Sequence, residues 1–205
     1  MGWQGYKGLD PTFIRPLLLL LGITSLLLLL ARSWKLMVLV LAFQYLGAFV
    51  LVLLSWPVNM ALVMLVAGWM ACLILAAILW NTPDMLIDER FAPSGRLFRL
   101  LAAGLVLIII QTGAVGLQDW LPEVDFTIIW ASLLLIGMGL LHLGLTAHPF
   151  RSIVGLLTVY LGFEILYASL ENSALVAGLL AGLTVGFALV GAYLTAAPDL
   201  EEELE

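Results

Sequence analysis

A chain of 205 residues that is 63% hydrophobic and only 11% charged lies far from the composition of a soluble domain, in which about a quarter of residues are charged. The mean hydropathy of +1.15 agrees, so the sequence reads as an all-α, polytopic membrane protein. The net charge of −6 comes largely from the carboxy-terminal tail and one loop; it marks no binding surface, and no basic patch offers itself to nucleic acid.

The predicted elements are seven membrane-spanning helices at roughly 14–31, 36–54, 58–80, 97–117, 127–145, 152–170 and 174–196. Each is close to the ~20 apolar residues that a bilayer crossing needs. Inside lipid every backbone polar group must be satisfied within the chain, which leaves helices or closed barrels. Runs such as Leu17–Leu21 and Leu26–Leu30 lack the apolar-polar alternation of a barrel strand.

The first span follows Asp10 and Pro11, has no basic leader and ends at Arg32 without a small-residue cleavage site. It is therefore expected to be a span and not a signal peptide. The second carries Gln44 and ends at Ser55-Trp56-Pro57. The third holds Cys72, the single cysteine of the chain, which excludes an internal disulfide and a cysteine-ligated cluster. The longest polar interval, Asn81–Arg96, follows. Thr82-Pro83-Asp84 has the form of a helix start, with proline at the first helical position. Met85, Leu86, Ile87 and Phe91 would then lie on a short surface helix at the headgroups, ended by Pro93-Ser94-Gly95. The fourth span carries Gln111, and the fifth carries His142 near its end, with His148 beyond. The sixth is entered by Arg151 and holds Tyr160, Glu164 and Tyr167 before ending at Glu171. The seventh repeats glycine every four residues at Gly178, Gly182 and Gly186, a spacing that permits close helix packing, internal or with a partner.

Six of the eight basic residues (Arg32, Lys35, Arg90, Arg96, Arg99 and Arg151) fall on one side of these spans, and Lys7 and Arg15 on the other. The positive-inside rule puts the six in the cytoplasm, the amino terminus outside and the acidic tail, Glu201–Glu205, inside. Trp34 and Trp80 then mark the inner interface, and Trp56 and Trp120 the outer one.

The halves look alike. Arg32-Ser33 leads into a span with Gln44 and then one starting near Ala61-Leu62-Val63. Arg151-Ser152 leads into a span with Glu164 and then one starting at Ala174-Leu175-Val176. The expected layout is a three-helix repeat in 1–80, a cytoplasmic linker plus connecting helix in 81–126, a second three-helix repeat in 127–196 and a tail in 197–205. Four helices separate equivalent positions, so the two repeats are parallel.

An ionisable group at bilayer depth costs several kcal/mol and marks a task or a partner. Glu164 lies 13 residues beyond Arg151, about 20 Å along the helix axis and slightly past the bilayer centre. A proton relay is one reading; a neutral carboxyl used for packing is the other. Glu171 is seven residues on, on the same face; an outer relay station and an ordinary interface residue are both open. Tyr160 and Tyr167 flank Glu164 on its own face, where they can bind the carboxyl or simply pack. His142 can serve as proton input or as an interface histidine. Gln44 and Gln111 do not titrate and read as glue between helices. Two histidines without spaced carboxylates or cysteines make no metal site, and no catalytic triad or phosphate loop is present.

The stretch Arg151 to Gly-Phe-Glu164-Ile-Leu-Tyr-Ala-Ser resembles the second helix of the K-type (4L) membrane protein family of complex I, and residues 127–196 are similar to a whole member of that family. The seven-helix layout, with Gln44 in one half and Glu164 in the other, resembles the larger E-type membrane proteins of hydrogenase-4 and formate hydrogenlyase-type complexes. The resemblance implies a membrane-arm subunit of a proton-translocating assembly, in a bacterial or archaeal inner membrane. Glu164 would stand on the proton path, with no cofactor on this chain. It also implies larger antiporter-like membrane subunits and other subunits of a redox or antiporter complex as partners. An Mrp-type cation/proton antiporter subunit, a stand-alone carrier and a structural scaffold are the alternatives. One departure is plain: the K-type family's third helix carries a second glutamate, whereas Ala174–Ala196 has no ionisable residue but Tyr193.

Overall fold

The computed structural model describes residues 11–31, 33–81, 93–146 and 148–202. Among these, every regular element is a helix: α1 (Pro11–Leu30), α2 (Trp34–Val52), α3 (Val58–Asn81), α4 (Pro93–Trp120), α5 (Phe126–Gly144), α6 (Pro149–Leu170) and α7 (Ala174–Glu202). Six of them, α2 to α7, are long and apolar enough to cross a membrane. For α1 the described apolar stretch is Pro16–Leu30. The chain is an integral, multi-spanning membrane protein. The surface helix expected around Met85–Phe91 lies outside the described residues, as do Lys7, Arg32 and Arg90.

Uniformly apolar helices carry little information about which face turns inward, since lipid and protein core are equally apolar. The few polar side chains supply it. Ser25, Gln44, Ser132, Thr158, Glu164 and Thr184 are all buried, while Leu19, Leu73, Leu101, Ile108 and Leu175 face outward. Helix α2 is central, packed against α1, α3 and α6. Across the molecule α1 meets α5, α2 meets α6, and α3 lies along α7; α4 rests mainly on α5.

The tightest seam is α5 against α6, and glycines make it possible. A Cβ added at Gly162 would stand 2.7 Å from the Ser132 carbonyl oxygen and 2.9 Å from the Ile136 nitrogen. At Gly139 it would stand 2.7 Å from the Val159 nitrogen. The glycines singled out on α7 behave differently. A Cβ at Gly178, Gly182 or Gly186 would meet nothing within 4 Å, so no other helix of this chain presses on that stripe.

Helix ends are satisfied in ways that fix the topology. Arg99 donates from Nη1 to the Leu29 oxygen at 3.1 Å and from Nη2 to the Leu145 oxygen at 3.2 Å. Arg151 donates to the Ala31 oxygen at 3.0 Å. Both guanidiniums thus meet the last carbonyls of α1 and α5, where the helix dipole favours a cation. Lys35 stands at the same end, 5.4 Å from the centre of the Trp34 ring and 5.7 Å from that of Trp80. At the opposite end Asp125 caps α5 by accepting from the Thr127 amide at 2.7 Å. Trp56 stands at that end of the spans but faces inward. It is buried, and its indole donates to the Glu171 carbonyl at 2.8 Å, tying the α2–α3 turn to the α6–α7 turn.

Candidate functional site

Helix α6 presents Tyr160 and Glu164, four residues apart and so on one face, to Leu180 and Thr184, four residues apart on α7. Glu164 is 1% exposed and is the one buried acidic side chain among the described residues. Its Oε1 accepts from the Thr184 hydroxyl at 3.2 Å. That hydroxyl lies equally close, 3.2 Å, to the Leu180 carbonyl oxygen, which Tyr160 Oη also reaches at 3.2 Å. Thr184 has one proton to give. When Glu164 is ionised, Thr184 can donate to it, and Tyr160 keeps the Leu180 carbonyl bonded. When Glu164 is neutral, its own proton can go to Thr184 Oγ1, which turns its hydrogen to Leu180. The pair of helices can therefore hydrogen-bond both protonation states without moving backbone. Glu164 Oε2 has no hydrogen-bond partner, and no basic side chain among the described residues faces the carboxyl.

A residue the sequence did not single out completes this cluster. Tyr45 of α2 is fully buried and lies within electrostatic reach of Glu164, Thr184, Cys72 and Tyr160. Its hydroxyl makes no hydrogen bond of acceptable geometry. Thr184 was likewise overlooked. A threonine in an apolar run carries no distinguishing signal, whereas Tyr45 follows Gln44 directly and is one of only five tyrosines.

Gln44 lies apart from Glu164. Its Nε2 donates to Ser25 Oγ of α1 at 2.8 Å, and its Oε1 accepts from Thr158 Oγ1 of α6 at 3.4 Å. Thr158 precedes Glu164 by six residues, about 9 Å along the axis. Gln44 thus joins three helices, and neighbouring Tyr45 faces Thr184 of the carboxyl site. Gln111 accepts from the Trp130 indole at 3.0 Å on an exposed face, joining α4 to α5.

The other expected relay residues are distributed differently. Tyr167 packs on Phe163, ring centres 5.9 Å apart, and Tyr160 packs edge-on to Phe187 at 5.2 Å. Glu171 caps the end of α6 and is exposed. His142 is buried at the arginine end, within electrostatic reach of Arg151 and Arg99, which puts it about 20 Å along the axis from Glu164. No described group of histidine, cysteine, aspartate or glutamate could hold a metal ion. The surface groove of about 560 Å³ between α3 and α7, lined by Leu62, Val66, Met70, Ala181, Gly182 and neighbours, is apolar throughout. Comparison with family models, curated proteins and solved structures finds no match to this chain.

Proposed function

We propose that this chain is a membrane-arm subunit of a complex I-like proton-translocating assembly, in which Glu164 is a protonation site on a lateral path. The observation that carries the reading is the setting of its carboxyl: buried at bilayer depth, free of any described basic neighbour, and held by a hydroxyl that can serve both its charged and its neutral form. A purely structural carboxyl gains little over an apolar residue at such cost. Larger antiporter-like subunits would supply the path on either side, since this chain has a single buried acid among its described residues. The seventh crossing is α1, with the amino terminus outside and the arginine end in the cytoplasm.

The pairing of α1 with α5, α2 with α6 and α3 with α7 supports reading the chain as two parallel three-helix units facing each other. The same pairing favours a second reading, a stand-alone carrier with its site between the halves. Purification separates them: a carrier is active alone in detergent or vesicles, and a subunit is not.

The test of the relay is Glu164→Gln, which keeps shape and hydrogen bonding but cannot titrate. Assembly should persist while proton pumping by the complex in sealed vesicles, read beside its turnover, is impaired; Glu164→Asp should be partly active. Normal pumping by an intact Glu164→Gln complex would reject the relay and leave a structural scaffold.

A further inference from the structure

Two buried polar atoms in one neighbourhood lack hydrogen-bond partners: Tyr45 Oη on α2 and Glu164 Oε2 on α6. The two side chains flank the same hydroxyl: Thr184 lies 3.2 Å from Glu164 Oε1 and faces the Tyr45 phenol on its other side. Buried polar groups are normally paired, directly or through an ordered water. A phenol can donate to a carboxylate and accept from a carboxylic acid, so each atom supplies what the other lacks.

The ring of Tyr45 is held by the backbone beneath it. It lies on Gly68 of α3, where an added Cβ would overlap the ring edge. The position of the hydroxyl is thus set by a glycine on α3, on the side of the Glu164–Thr184 pair. The remaining groups that face the site are Cys72 from α3, Tyr160 from α6 and Thr184 from α7; no basic residue is among them.

We propose that Tyr45 is the positioning residue for Glu164, donating to Oε2 through one water in both protonation states, while the proton of the neutral acid sits on Oε1 and goes to Thr184. Thr184 then serves Oε1 and Tyr45 serves Oε2. This rests on the reading of Glu164 as a site that changes protonation. A hydrogen bond to a charged acceptor is stronger than one to its neutral form, so Tyr45 favours the ionised state.

The test uses the whole complex in native membranes and a hydrophobic carbodiimide, which modifies protonated carboxyls. Modification of Glu164 is followed by mass spectrometry with Glu164→Gln as blank. Tyr45→Phe keeps the ring and removes the donor; it should label several-fold faster than wild type. Gly68→Ala keeps the phenol but displaces it, and should act in the same direction while adding nothing to Tyr45→Phe. The infrared carbonyl band of neutral Glu164, assigned by its loss in Glu164→Gln, should move to higher frequency in Tyr45→Phe. Unchanged labelling with an unmoved band would overturn the proposal. Loss of assembly in Tyr45→Phe would also overturn it, by assigning the hydroxyl to folding. Neither readout needs proton movement, so failure of this inference and failure of the relay are separately visible.

Discussion

Gln44 offers a quantitative test of how polar contacts hold this bundle. Its amide links α1 and α6 to α2 through Ser25 at 2.8 Å and Thr158 at 3.4 Å. Neither neighbour depends on it as an outlet for a proton: Ser25 donates to the Leu21 oxygen at 2.8 Å and Thr158 to the Val154 oxygen at 2.9 Å. Gln44→Leu therefore leaves no stranded donor and nearly keeps the volume. Its cost is the bond to Ser25, about 0.6 kcal/mol on average in membranes, and a share of the longer one to Thr158, whose single proton also serves Val154, so about 1 kcal/mol at most. Gln44→Ala loses the same bonds and also empties roughly 50 Å³, which at ~24 cal/mol per Å³ adds about 1 kcal/mol. The alanine variant should thus be the less stable, at about 2 kcal/mol, by reversible denaturant titration of the reconstituted protein. A leucine variant as damaged as alanine, or more so, would refute the reasoning and assign the stability to the amide.

Gly162→Ala should destabilise by about 1–3 kcal/mol, because its Cβ would press on backbone atoms of α5 that cannot turn aside. Gly178→Ala, which meets nothing within 4 Å, should be neutral or stabilising by up to about 1 kcal/mol from helix propensity; thermal unfolding in detergent compares the two. For topology, cysteines introduced at Glu123 and Asn172 should react with an impermeant reagent from outside and one at Arg96 should not. Cys72 is buried and gives little background, and outside access at position 96 would reverse the orientation.

Hydropathy alone located the helices, since the bilayer demands long apolar runs and leaves the backbone no other way to bond itself. The six-to-two partition of basic residues likewise placed Lys35, Arg99 and Arg151 at one end, where the structure finds them capping helices or resting beside tryptophans. Glu164 stood out because a carboxyl is costly in such a run. Facing was another matter. In a chain apolar all round, no periodicity says that Gly162 is pressed on α5 while Gly178 lies open, or that Trp56 turns inward. The partners of Glu164 were also out of reach: Thr184 is 20 positions away in sequence and Tyr45 119, and only the packing of α2 and α7 on α6 brings the Thr184 hydroxyl to the carboxyl and the Tyr45 phenol, seated on Gly68, beside it. Sequence determined what had to be buried in lipid; tertiary packing decided which few polar atoms meet, because side-chain contacts between helices depend on rotation about each axis, which composition does not encode.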